Sequence, residues 1–160
     1  NKTDSYDIND VVLEICDRND RSKNVLLYNV PESLAKSADE RVIDDLTHVS
    51  SILEPLGAFQ QPKKIFRIGP PKPNAVRPLK MIFSNNDEAK SILKSNVKNP
   101  NKQNHFRPDL TTRQRQSNSS IIEKFKERKS RGENDIALTY RNNMALITRR
   151  NEGRSQAKNE

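Results

Sequence analysis

Apolar residues recur along this chain with two spacings, one typical of strands and one typical of helices. Segments rich in β-formers or with alternating apolar residues predict four strands, at 24–30, 63–68, 79–83 and 105–107. Apolar residues spaced by three and four predict two helices, at 38–56 and 86–95. Ser37, followed by Asp39 and Glu40, suits the N-terminus of the first helix. Strand-helix-strand therefore occurs twice, which predicts an α+β fold, a two-layer sandwich of two helices on a four-stranded antiparallel sheet.

The predicted core follows from the same spacings. Residues on the apolar stripes of the two helices and on one face of the strand at 79–83 are expected to be mostly buried. They are Val42, Ile43, Leu46, Val49, Leu53, Leu79, Met81, Phe83, Ile92 and Leu93.

Further elements are predicted on either side of this sandwich. Residues 6–20 place Ile8, Val12 and Ile15 on one helical stripe beside an acidic face, which is typical of the end of a coiled coil. A basic helix is predicted over 112–131, followed by a hairpin over 136–148 with Arg141-Asn142-Asn143 as its turn. The predicted organisation is a stalk end at 1–22, a sandwich domain at 23–110, a C-terminal domain at 111–148 and a disordered tail at 149–160.

The distribution of charge is more informative than its total of +8 over 160 residues. The first 20 residues hold six acidic and two basic side chains, a net charge of −4, so the remaining 140 carry +12. Such a basic excess favours a polyanionic partner, nucleic acid before an anionic membrane. Part of it also serves only to solvate the surface.

Several functional classes are disfavoured by composition. No apolar run reaches the length of a membrane-spanning helix, and no secretory signal pattern is visible. One cysteine, Cys16, and two isolated histidines do not form a zinc-binding pattern, so no metal or cofactor is expected. Neither a nucleophile motif nor a phosphate loop is visible, so we expect no catalytic residues and no enzyme.

The strand Val25–Val30 resembles the first strand of an RNA-recognition motif, whose open face stacks bases on aromatic side chains. The usual aromatic position is Leu26 here, and Tyr28 lies two residues further on the same face. Lys80 and Ile82 occupy the open face of the third strand, so phosphate contacts are expected to dominate over stacking. Alternatively, Tyr28 is a plain surface tyrosine.

Four segments resemble the nucleic-acid-binding protein encoded by the first open reading frame of LINE-type (non-LTR) retrotransposons, the transposase-22-like family. The similarity covers roughly residues 10–148. The segments are Asp17-Arg18-Asn19-Asp20-Arg21 leading into Tyr28-Asn29-Val30-Pro31-Glu32; Phe66-Arg67-Ile68-Gly69; Arg77-Pro78-Leu79-Lys80; and Pro108-Asp109-Leu110-Thr111-Thr112-Arg113-Gln114-Arg115.

This resemblance implies a coiled-coil homotrimer formed through upstream sequence, a domain of the RNA-recognition-motif type and a small C-terminal domain. It implies binding of single-stranded RNA, and also single-stranded DNA, with little sequence preference, and nucleic-acid chaperone activity in a cytoplasmic ribonucleoprotein that also enters the nucleus. The family's basic cleft between the two domains corresponds here to Arg67, Arg77, Lys80, Arg113 and Arg115. The full set of nucleic-acid-binding candidates is Arg18, Arg21, Tyr28, Arg67, Arg77, Lys80, Arg113 and Arg115.

An alternative reading remains open. The same sheet face could dock a protein helix without any nucleic acid, and each arginine has a structural reading as well. Arg18 and Arg21 complement the dipole at a helix end, and Asp109 caps a helix or pairs with a neighbouring arginine.

Overall fold

The computed structural model describes residues 7–101 and 103–150, which contain four α-helices, a four-stranded antiparallel sheet and a two-stranded hairpin. The predicted α+β class is confirmed. The chain divides into two compact units between Asp109 and Leu110, one residue before the predicted boundary.

The first unit contains the sheet. Its elements are α1 (Ile8–Arg21), β1 (Asn24–Leu27), α2 (Ala38–Leu53), β2 (Lys64–Arg67), β3 (Leu79–Ile82), α3 (Asn86–Lys94) and β4 (Phe106–Pro108). The strands lie in the order β2-β3-β1-β4, and all neighbours are antiparallel. The predicted four-stranded antiparallel sheet is therefore confirmed.

Strand β1 is shorter than predicted. It ends at Leu27 because Asn29 adopts a left-handed conformation (φ 63°), which extended backbone does not tolerate, and Pro31 follows. One further backbone hydrogen bond, from the Tyr28 N–H to the His105 carbonyl at 3.3 Å, joins the residue after β1 to the residue before β4.

Helices α2 and α3 pack on one face of this sheet. Val25 and Leu27 of β1 alternate with polar or half-buried neighbours, as do Leu79 and Met81 of β3, and all four are fully buried. The core cluster consists of Val25, Leu27, Val30, Val49, Leu53, Leu79, Met81, Phe83, Ala89, Ile92 and Phe106. Six of the ten predicted core residues belong to it, and Leu93 packs against it half-buried.

The prediction for the other three core candidates is wrong. Val42, Ile43 and Leu46 are exposed, at 49%, 60% and 44%. Helix α2 faces the sheet with the stripe that contains Asp45, Val49 and Leu53. Its N-terminal half therefore buries a carboxylate, and the apolar side chains beside that carboxylate remain at the surface.

The helix starts follow local capping chemistry. Ser37 and Glu40 form a capping box at α2, and the side chain of Asn85 accepts from the Glu88 N–H at α3. Helix α1 begins at the Asp7 cap and buries no residue, so Ile8, Val12 and Ile15 are exposed at 75%, 51% and 60%. Trimerisation through upstream sequence stays a prediction.

The second unit pairs α4 (Thr112–Ser130) with the hairpin β5 (Ile136–Arg141) and β6 (Met144–Arg149). The Asn118 side chain donates to the Asn143 carbonyl at 2.9 Å and accepts from the Ala145 N–H at 2.8 Å, which fixes the hairpin on the helix. The predicted turn is confirmed, with Asn142 and Asn143 at positive φ. Arg149 still belongs to β6, and residues 151–160 of the predicted tail lie outside the described residues.

Truncating α2 at two positions tests the orientation of that helix. Leu53→Ala removes a side chain that is 1% exposed, and we expect it to cost about 2–5 kcal/mol of unfolding free energy. Leu46→Ala, at 44% exposed on the same helix, should cost less than about 1 kcal/mol. Urea denaturation measures both, and equal losses would contradict the described orientation.

Candidate nucleic-acid interface on the open sheet face

The face of the sheet opposite α2 and α3 is the candidate interface, and we refer to it as the open face. Because successive strand residues point to opposite sides, its members alternate with the buried core residues. The register aligns them across the strands. They are Lys64, Phe66, Lys80, Ile82, Asn24, Leu26, Tyr28, His105 and Arg107.

Tyr28 lies at the centre of a small stacked cluster on this face. Its ring is parallel to that of His105, with centroids 5.5 Å apart and an interplanar angle of 8°. The Arg107 guanidinium lies 5.4 Å from the Tyr28 ring centroid, within the range of a cation–π contact. Planar groups and a cation are thus brought together where a base and its phosphate could be bound.

His105 and Arg107 were not among the sequence candidates. The predicted strand at 105–107 already contained the signal, since alternation places these two residues on one face, opposite the apolar Phe106. Their position beside Tyr28 depends on the pairing of β4 with β1, which aligns Arg107 with Leu26.

A second aromatic side chain lies on the open face at β2. Phe66 is 37% exposed, and the Lys64 Nζ lies 5.4 Å from its ring centroid. From the sequence, Phe66 was noted only as part of one of the four segments that resemble the LINE-type family. Its alternation with the half-buried Ile65 indicates the exposed orientation.

Lys80 lies on the open face as predicted, but its ammonium group already has an anionic partner. The Lys80 Nζ contacts Asp109 Oδ2 at 2.7 Å, and Asn24 Nδ2 donates to the same oxygen at 2.9 Å. Arg21 Nη1 of α1 donates to Asp109 Oδ1 at 3.0 Å. A phosphate would have to compete with a carboxylate for both cations.

The environment of Asp109 keeps this carboxylate ionised. Its side chain is 6% exposed, and burial alone raises its pKa. Hydrogen bonds from Lys80 and Asn24, together with the charges of Lys80 and Arg21, outweigh that effect and hold the pKa of Asp109 below its ordinary value. Asp109 thus joins α1, β1 and β3, while Thr111 caps α4 instead.

Arg67, a predicted phosphate contact, is bound inside the domain. Its side chain is 6% exposed and lies on the helix side of the sheet, where Nε and Nη2 bind both oxygens of Asp45 at 3.1 and 2.5 Å. Nη1 donates to the carbonyls of Val30 and Arg77, and Nη2 also donates to that of Pro31. All five N–H donors of the guanidinium are therefore used inside the domain.

Arg77 is also bound within the protein. It forms a two-pronged ion pair with Glu32, at 2.9 Å from Nε to Oε1 and 2.9 Å from Nη2 to Oε2. The hydrogen bonds from Arg77 are the main cause that lowers the pKa of Glu32 to about 2, against the opposing effect of burial. Arg77 thus restrains the loop before β3 through Glu32, and its phosphate contact stays a prediction.

The remaining candidates lie at two helix ends. In α1, Arg18 pairs with Glu14 and Arg21 with Asp17, each at 2.7 Å and one helical turn apart. Arg113 and Arg115 are exposed at the start of α4 in the second unit, and Arg115 donates to the Leu110 carbonyl at 3.0 Å. The basic cleft between the two domains stays a prediction.

Residues 7–101 and 103–150 contain no group of three His, Cys, Asp or Glu side chains placed to hold a metal ion. None of the helices described there is long and apolar enough to cross a membrane. In comparisons with known proteins, no family model and no curated protein matches this chain.

Replacing Arg67 tests its structural role. Arg67→Met keeps the bulk of the side chain but leaves the buried Asp45 without a counter-ion, and we expect a loss of about 3–5 kcal/mol in unfolding free energy. Arg113→Met at an exposed position is the matched control and should change it by less than about 0.5 kcal/mol. A tolerated Arg67→Met would contradict this structural role.

The Glu32–Arg77 pair predicts a specific acid response. Because the pKa of Glu32 falls from 4.5 to about 2 on folding, its contribution to stability is complete above pH 4.5 and is lost as the pH falls toward 2. In Arg77→Met the pKa of the Glu32 carboxyl should rise back toward 4.5. NMR titration of the side-chain carboxyl carbon measures both, and identical midpoints would contradict the pairing.

Proposed function

We propose that this chain binds single-stranded nucleic acid, RNA and also DNA, on the open face of a sandwich of the RNA-recognition-motif type. The observation that carries the proposal is the Tyr28–His105 stack with Arg107 beside it. The strand order β2-β3-β1-β4 with two helices on one face is compatible with that fold and leaves the opposite face for a ligand.

The composition of the open face supports weak sequence preference. Stacking on Tyr28, His105 and Phe66 accepts any base, because every base has a π-face. Lys64 and Arg107 are exposed cations on the same face, suited to phosphates. The overall charge of +8 adds long-range attraction for a polyanion.

The four segments resembling the LINE-type family extend the proposal to a biological role. On that resemblance, the chain is part of a retrotransposon first-open-reading-frame protein that coats RNA and acts as a nucleic-acid chaperone. It would assemble as a homotrimer through sequence upstream of α1 and work in cytoplasmic and nuclear ribonucleoprotein particles. No catalytic chemistry is part of this proposal.

The alternative function is a protein-interaction module that uses the same face. Phe66, 37% exposed, and the half-buried Leu26 and Ile82 offer apolar contacts to a protein helix. Salt dependence separates the two, since phosphate binding weakens steeply with salt whereas apolar docking does not.

Two variants separate stacking from charge in RNA binding. Tyr28→Ala removes a stacking platform and should cost about 1–3 kcal/mol of binding free energy without changing the slope of log affinity against log salt. Arg107→Ala should flatten that slope by about 0.7, because one phosphate contact is lost.

The control for charge is Lys94→Ala, which removes an exposed cation from α3 on the helix side of the sheet. It should leave both affinity and slope nearly unchanged. Anisotropy titrations of a short labelled RNA at several salt concentrations measure all three variants. An equal effect of Lys94→Ala and Arg107→Ala would show that the open face is not the binding surface.

A further inference from the structure

A cavity opens next to the stacked cluster, at the edge of β4. Its volume is about 280 Å³, and it is lined by Asn96, Asn99, Asn101, Asn104, His105, Phe106 and Arg107. His105 and Arg107 belong both to this cavity and to the cluster around Tyr28, so the two sites are continuous. The cavity exceeds the liquid volume of one water molecule roughly ninefold.

Two of the four asparagines build the walls of the cavity with their side chains. Asn96 donates to the Phe106 carbonyl at 2.7 Å and accepts from the Phe106 N–H at 3.0 Å, as a neighbouring strand would at this sheet edge. Asn99 donates to the Asn104 carbonyl at 2.5 Å and accepts from the Asn101 N–H at 3.0 Å. The walls are therefore held by hydrogen bonds from side-chain amides to the backbone.

The other two asparagines have capacity left for a ligand. The Asn101 side-chain oxygen accepts from the Gln103 N–H at 3.0 Å, which leaves its amide donors. Within residues 7–101 and 103–150, the Asn104 side-chain amide has no hydrogen-bond partner, although the residue is only half-exposed. An amide offers a donor and an acceptor side by side, the pattern that recognises the edge of a nucleobase.

We infer that this cavity binds one nucleobase of the bound strand, with the Asn104 amide on the hydrogen-bonding edge of that base. The inference rests on the proposed function and deepens it. The Tyr28–His105 stack holds the neighbouring base, and Arg107 contacts the phosphate between them. A strand bound in this way is read by hydrogen bonds at one position while its other positions are held by stacking and charge.

The test compares Asn104→Ala with wild type on two kinds of strand. One is a short homopolymeric RNA of each of the four bases, and the other is a ribose-phosphate strand of equal length without bases. Asn104→Ala should weaken binding of at least one homopolymer about three- to tenfold, as expected for one or two lost hydrogen bonds. It should leave the salt slope and the affinity for the baseless strand unchanged, because no cation is removed.

Gln103→Ala is the matched control, since Gln103 is an exposed neighbour that does not line the cavity. It should bind all strands like wild type. The Asn104 side-chain amide resonance in an NMR spectrum gives an independent readout and should shift with the homopolymer but not with the baseless strand.

The outcomes separate the two proposals. If wild type binds no strand, both the proposed function and the cavity assignment fail. If wild type binds but Asn104→Ala matches it on every homopolymer, or loses affinity equally for the baseless strand, only the cavity assignment fails. Thermal unfolding of Asn104→Ala should match wild type, because the side chain has no partner within the described residues.

Discussion

Alternation in the two central strands is the constraint on which the rest of the first unit depends. Val25 and Leu27 of β1 and Leu79 and Met81 of β3 are fully buried and bind the helices to one face. A shift of the register by one residue would exchange this face with the other. The same packing therefore fixes two things together: where the core lies, and which side chains remain for a ligand. Tyr28 and Lys80 reach the open face because their neighbours are buried.

Arginine has two distinct uses in this protein. Arg67 connects the sheet to α2 through Asp45 and satisfies three carbonyl groups, two of them in the chain that leaves β1. Arg77 restrains the loop before β3 through Glu32. Arg107, by contrast, is exposed beside an aromatic ring. Exposed cations such as Arg107 are the ones available to phosphate. The number of basic residues in a chain therefore overestimates the number that can contact nucleic acid.

The sequence predicted what depends on local spacing. Strand alternation, the Ser37 cap and the Asn142-Asn143 turn each depend on a few neighbouring residues, and all are present. The sequence predictions were wrong or incomplete where contacts between residues far apart in the chain determine the structure. The partners of Arg67 lie 10, 22, 36 and 37 residues away along the chain, so its burial was not visible in its own segment. The exposure of Leu46 depends on how α2 is rotated on the sheet, and a broad apolar stripe leaves several rotations open. The His105–Tyr28 stack required the pairing of β4 with β1.

The central claim is that the open face, and not the helix side, binds single strands. The most direct test is to map backbone amide shifts by NMR while a short single-stranded RNA is added at low salt. Binding at the open face predicts that the shifts cluster at Leu26, Tyr28, Phe66, His105 and Arg107 and disappear when salt is raised. Shifts confined to α2 and α3, or an unchanged spectrum at saturating RNA, would contradict it.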